Sequence, residues 1–293
     1  MPRETETIKL LKTLLGSYTP RGEEARRLAE VAKLNKLLLA YLRRVGDFLK
    51  DELVHEEARC RWFRRNAAEV VEVLEDVGAA YALYKFRRPL DHVSVDLDVL
   101  VSVEDVPRAV KALASRGFKV VVREPYTVTL ARNGFIVDLY THPSFAWVVY
   151  MDGEKLLKCC VEEVEVDGLR ARALSREAEV AVSAAHAIYK EHTVLLMDCL
   201  VAWAWAGRGA LSLASELGAG RALEALRSVC RAIGAGRVEA PCKLGPDAVA
   251  KVLAGKLVED SMFRATAINA LKYVFGRGDV GTRMLSRFLR RSY

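Results

Sequence analysis

The chain has 293 residues, enough for a buried core and more than one domain at the usual ~100–200 residues each. With 52% hydrophobic and 28% charged residues, it is too apolar and too mixed in charge for disorder. Its net charge of +7 admits two readings, an affinity for phosphate-bearing partners or a solvated surface carrying 45 basic against 38 acidic groups.

Residues Met1 to Glu6 are polar and lack the apolar core of a signal peptide, and runs such as Leu200 to Ala206 are too short to span a bilayer. A cytoplasmic protein with no membrane partner is expected. From Gly22 to Asp51 apolar residues recur at helical spacing (Leu28, Val31, Leu38, Leu42, Val45), which predicts a helical stretch, and a second covers Glu52 to Val77. The arginines of that second run (Arg59, Arg61, Arg64, Arg65) spread around the helix, as a solvated face does.

The period then changes to two. Strands are predicted over Ala80 to Phe86 and Val93 to Val103, followed by a helix from Val106 to Arg116 that ends at Gly117. Phe118 to Arg123, Tyr126 to Ala131 and Phe135 to Tyr140 read as further strands, the last two joined by Asn133-Gly134, a strong hairpin signal. Val161 to Val166 and Leu169 to Leu174 form a second hairpin around Asp167-Gly168. Helices follow from Ser175 to about Lys190, then near Val194 to Trp205, Ala219 to Ile233, Asp247 to Leu257, Asp260 to Phe275 and Thr282 to Arg291. The glycine pairs at Gly218-Ala219-Gly220 and Gly234-Ala235-Gly236 do not continue into Lys-Ser or Lys-Thr, so they read as helix stops and not as a P-loop.

The class is therefore α+β: a small mixed sheet over residues 79–174, a helical region before it over 1–78, and a helical domain after it over 175–293. The six cysteines show no CxxC pair, so a zinc site is not expected and buried small hydrophobes are. Gln is absent and Asn occurs only at positions 35, 66, 133 and 269, a depletion of labile amides that points to a thermophile, where an intracellular disulfide stays open.

The chemistry-bearing segment is Ser94-Val95-Asp96-Leu97-Asp98-Val99. Residues two apart in a strand project to one face, so Asp96 and Asp98 stand together while Val95, Leu97 and Val99 fill the opposite, buried face. Two adjacent carboxylates repel unless protons or a cation compensate, and a hard divalent ion such as Mg²⁺ or Mn²⁺ suits oxygen ligands. Asp138, a lone acid in the apolar strand Phe135-Ile136-Val137-Asp138-Leu139-Tyr140, is the candidate third carboxylate. The alternative is an antiparallel strand with one wet face on which the acids are only solvated. A DxD glycosyltransferase would need a long nucleotide-binding βαβ region ahead of the motif, and what precedes it here is helical.

Over Ala80 to about Leu200 the sequence resembles the nucleotidyltransferase superfamily that shares the fold of DNA polymerase β. Ala82-Leu83-Tyr84-Lys85, the loop through Arg87-Arg88-Pro89, the Asp96-Leu97-Asp98 strand, Val137-Asp138-Leu139 and the segment Ala184 to His192 carry the likeness. The resemblance implies that Asp96 and Asp98 bind two metals with the nucleotide phosphates, and that Asp138 completes the catalytic metal and helps activate the acceptor. The implied substrates are an NTP such as ATP and a hydroxyl on RNA, a protein or a small molecule.

The family usually places a Gly-Ser or Gly-Gly turn after the first strand, where backbone N–H groups meet the triphosphate. Here that place reads Tyr84-Lys85-Phe86-Arg87, so Lys85, Arg87 and Arg88 are the candidate phosphate-binding charges. This departure keeps a second reading in play, a catalytically silent nucleotide- or RNA-binding scaffold. His186 and Lys190, four apart on one helical face, are further candidates for a phosphate or base. His192 does not share that face, and His142 reads either as a site neighbour or as a turn residue.

Overall fold

The computed structural model describes residues 4–166 and 168–276. Helices α1 (Glu6–Leu14), α2 (Gly22–Leu34), α3 (Leu38–Val45) and the long α4 (Lys50–Asp76) come first. The stretch expected as helical from Gly22 to Asp51 is thus broken at residues 35–37 and again at 46–49. Asn35 accounts for the first break. Its buried amide donates to the carbonyls of Val31 and Ala240 and accepts the Leu196 N–H, all at 2.8–2.9 Å. Periodicity within one segment carries no trace of a partner so distant in the chain.

The mixed core follows: β1 (Tyr81–Leu83), β2 (Asp96–Val101), α5 (Val106–Ser115), β3 (Lys119–Glu124), β4 (Thr127–Arg132), β5 (Phe135–Tyr140), β6 (Ser144–Phe145), β7 (Val148–Val149), α6 (Gly153–Cys159), β8 (Val161–Val166) and β9 (Leu169–Leu174). Both early strands are shorter than their apolar patterns, because residues 84–95 leave the sheet as a loop. Val95, expected on the buried face, is 72% exposed on that loop. Asn133 and Gly134, at φ 50° and 82°, make the two-residue turn between β4 and β5.

The remainder is α7 (Arg176–Ala185), a π-helical turn over His186–Glu191, β10 (Thr193–Val194), α8 (Leu196–Trp205), α9 (Arg208–Glu216), α10 (Gly220–Gly234), β11 (Cys242–Lys243), α11 (Pro246–Glu259) and α12 (Ser261–Gly276). The helix expected to reach Lys190 as one α-helix changes to π geometry at His186, a change often found at functional sites. The helix expected over Thr282 to Arg291, and Asp167 of the second hairpin turn, lie outside the described residues.

The main sheet runs β3-β4-β5-β2-β1-β9-β8. Pairs β2–β5 and β1–β9 are parallel and the others antiparallel. One face packs on α4 and α5 through Phe63, Val70, Leu74, Leu113, Leu97, Val99, Val137 and Leu139. The other face, with Tyr84, Leu100 and Tyr140, joins a larger core shared by the N-terminal helices and α7 to α10.

Four cysteines are joined, Cys159 to Cys160 and Cys199 to Cys230, where sequence alone favoured small buried groups and left a disulfide open. Cys60 is buried and Cys242 half-buried, and neither is disulfide-bonded. Among the described residues no helix is long and apolar enough to cross a membrane.

Candidate functional site

Strand pairing brings the acids together. Parallel register between β2 and β5 sets Asp98 directly beside Asp138, and Asp96 follows two residues away on the same face. One carboxylate oxygen from each of Asp96, Asp98 and Asp138 lies within 4.8 Å of the others. On the far side of Asp138, β4 places Thr129 opposite, and its hydroxyl donates to Asp138 Oδ1 at 2.5 Å. Ser94 donates to Asp96 Oδ1 at 3.3 Å.

Asp98 is the buried member, 7% exposed, and its Oδ1 has no hydrogen-bond partner. Burial raises its carboxyl pKa above the ordinary range, and the Asp96 charge adds to the rise while Lys85 opposes it. Asp138 is pushed up to about 6, chiefly by burial and then by the two neighbouring acids, against the Thr129 hydrogen bond. Three acids in so small a space need positive charge.

That charge comes from two lysines. The chain leaves β1 beside Asp98, with the Tyr84 N–H donating to the Asp98 carbonyl at 3.2 Å. Lys85 then adopts φ 56°, a left-handed conformation uncommon for a residue with a side chain, and returns its Nζ to 2.6 Å from Asp98 Oδ2. The second is Lys190 on the π-helical turn, whose Nζ stands 5.9 Å from the Tyr140 ring centroid. Burial lowers the Lys190 pKa, Lys85 lowers it further, and Asp98 opposes the shift. His186, on the same turn, is held neutral by burial and by the nearby Lys85 and Lys190 charges, with Nε2 3.6 Å from Glu191.

Arg87 and Arg88 are drawn into the framework of the loop. Arg87 donates to Glu162 at 2.7 Å and to the Leu174 carbonyl at 3.3 Å. Arg88 donates to Ser183 at 2.8 Å and to Glu179 at 3.4 Å, and it also lines a cavity of about 60 Å³ with Arg64, Lys85, His92, Asp96 and Asp98. His92 in its wall is held neutral, its pKa lowered to about 3 by burial first and then by Arg88 and other nearby cations. His142 accepts the Gly153 N–H at 2.9 Å and so anchors the turn before α6, and His192 ends the π-helical turn at φ 51° with Nδ1 2.8 Å from the Ile188 carbonyl.

Two residues, one beside Asp138 and one bracing the Lys85 loop, escaped sequence reading. Thr129 was accessible in principle, since a two-residue Asn133-Gly134 turn dictates which β4 residue faces Asp138. Glu179 on α7 is the second. It is fully buried, and its carboxylate accepts the Phe86 N–H at 3.1 Å besides pairing with Arg88. Burial pushes its carboxyl up to about 7, against the Arg88 charge. A lone acid within Ala178 to Ala185 was the available signal, but nothing local tells a buried acid from a solvated one.

Comparison with known proteins adds three findings. A family described as uncharacterised nucleotidyltransferase matches residues 78–233, just over half of the chain. No curated protein matches. Two solved structures of ANT(2'')-Ia are similar at 14% identity and a TM-score of 0.35. The complex with adenylyl-2''-tobramycin covers 56% of this chain and 93% of that one, and the solution structure of the antibiotic-resistance factor covers 57% and 89%. At that TM-score neither likeness carries weight.

Proposed function

Because the chain belongs to the family of uncharacterised nucleotidyltransferases, we propose that it moves a nucleoside monophosphate from an NTP to a hydroxyl acceptor, using divalent metal held by Asp96, Asp98 and Asp138. The convergence of those three carboxylates within 4.8 Å carries the reading. The donor set is all hard oxygen, which suits Mg²⁺ or Mn²⁺. The buried Asp98 Oδ1, without a hydrogen-bond partner, is an oxygen that a cation would satisfy.

Divalent ions held by Asp96, Asp98 and Asp138 would supply positive charge to offset the negative charge that develops in an in-line displacement. The chain's own groups do the rest. Asp138, oriented by Thr129, takes up the proton of the attacking hydroxyl. Lys85, paired with Asp98, and Lys190, over the Tyr140 ring, bind phosphate oxygens. Arg87 and Arg88 brace the loop and raise the positive potential at its inner edge, and neutral His186 offers a hydrogen bond to phosphate or base. The acceptor is a hydroxyl of RNA, a protein or a small molecule.

Calorimetric titration of an NTP with Mg²⁺, together with label transfer from an α-phosphate-labelled NTP to mixed RNA, protein and small-molecule acceptors, tests this. Wild type binds and transfers, whereas Asp96→Ala does neither. Equal nucleotide binding by both, with no transfer to any acceptor, overturns the catalytic reading and leaves a binding scaffold.

A further inference from the structure

We propose that Lys85 is a carried counter-ion: its ammonium neutralises Asp98 until metal and nucleotide arrive together, then moves to the triphosphate, so that divalent metal binds weakly alone and tightly with nucleotide. The inference rests on the metal-binding reading of the three acids. It adds a role for one side chain that phosphate binding alone does not include.

Geometry sets up the competition. Lys85 Nζ stands 2.6 Å from Asp98 Oδ2 with both side chains largely buried, 14% and 7% exposed. An ammonium in that position and a divalent ion shared by the same three carboxylates repel, so each weakens the binding of the other. Lys190 supplies a second cation to the same cluster, which makes it harder for both lysines to stay once metal enters.

The turn that carries Lys85 is fixed while its side chain is long. Lys85 takes φ 56°, and the next N–H, that of Phe86, is already committed to Glu179 Oε1 at 3.1 Å. Arg88, three residues on, is tied to Glu179 and Ser183. The backbone amide of Phe86 therefore does not receive a phosphate at this turn, and anion recognition falls to the Lys85 ammonium on its flexible four-carbon stem. Released from Asp98 by metal, that ammonium finds its new partner in the triphosphate that travels with the metal. Coupling of this kind is reciprocal: nucleotide tightens metal by the same factor that metal tightens nucleotide.

The test is Mn²⁺ binding to the full chain, read from the electron paramagnetic resonance signal of free Mn²⁺, with and without an α,β-methylene ATP analogue. Wild type is compared with Lys85→Met and Lys85→Gln. The glutamine variant keeps a hydrogen-bond donor for Asp98, and circular dichroism checks that each variant is folded. Without nucleotide, removing the ammonium tightens Mn²⁺ about tenfold, and the gain in Mn²⁺ affinity that the analogue gives wild type shrinks by the same factor. Unchanged or weaker Mn²⁺ binding by the folded variants without nucleotide overturns the proposal. If wild type binds Mn²⁺ no better than Asp96→Asn does, the metal-binding reading itself falls and this inference with it. Mn²⁺ bound through Asp96 but indifferent to Lys85 defeats the inference alone.

Discussion

Strands β2 and β5 have two faces built from alternate residues of the same segments, and the faces could hardly differ more. Toward α4 and α5 stand Leu97, Val99, Val101, Val137 and Leu139, each at most 1% exposed. Toward α7 stand Asp96, Asp98 and Asp138, with Leu100 and Tyr140 beyond them. Each large apolar side chain buried on the first face contributes roughly 1.5–3 kcal/mol. The second face concentrates charge, and burial together with neighbouring acids raises the carboxyls of Asp98 and Asp138. The strands hold their register because of the first face, and that register is what forces the acids together on the second.

Five experiments break or sharpen this contrast. Asp98→Asn keeps the shape of the acid face but removes a central charge. Label transfer from an α-labelled NTP should fall at least about a thousandfold, equivalent to roughly 4 kcal/mol of barrier, while circular dichroism shows the fold intact. Leu97→Ala does the reverse, costing about 2–5 kcal/mol in urea unfolding while the folded fraction keeps its Mn²⁺ affinity.

The third experiment uses pH. The Asp138 carboxyl titrates near 6 in the native chain against an ordinary 3.8, so the native state holds this proton more tightly than the unfolded one. Its contribution to stability is therefore neutral below about pH 4 and increasingly unfavourable as pH rises to 6, reaching up to about 3 kcal/mol. Asp138→Asn removes that loss. The stability difference between variant and wild type should widen from pH 4 to pH 7 when no divalent metal is present.

The fourth concerns the brace of the loop. In Glu179→Gln an amide oxygen still accepts the Phe86 N–H, and because burial holds the native carboxyl at about 7 despite Arg88, the neutral variant should gain on wild type in urea unfolding as pH rises from about 4.5 to 8, by up to about 3 kcal/mol. Val95→Ala is the smallest. The residue follows the alternating pattern yet lies 72% exposed, and its loss should change stability by less than about 0.5 kcal/mol.

Much of the fold was legible because it depends on local periodicity. The β4–β5 hairpin forms around Asn133-Gly134, and the expected β8 and β9 segments agree with the strands to the residue. Boundaries slipped where a distant partner intervened. Asn35 interrupts a helical pattern because its amide serves Ala240 and Leu196, and the strand patterns around residues 84–95 give way to a loop that Glu179 holds from α7.

The candidate site divides along the same line. Asp96 and Asp98 share a face by the two-residue period of a strand, and the turn chemistry that pairs Thr129 with Asp138 is equally local. That Asp138 adjoins Asp98 depends on a parallel pairing between β2 and β5, with α5, β3 and β4 intervening in the chain, which no local pattern specifies.

What the sequence determined by itself is which residues alternate, where the chain turns, and which acids share a strand face, since these follow from backbone geometry over a few positions. Only tertiary structure decided that Lys85 would pair with Asp98, that Arg88 would be spent on Glu179 and Ser183, and that Lys190 would approach from a π-helical turn. A charged side chain finds its counter-charge wherever packing brings one within a few ångströms, and distance along the chain does not constrain that choice.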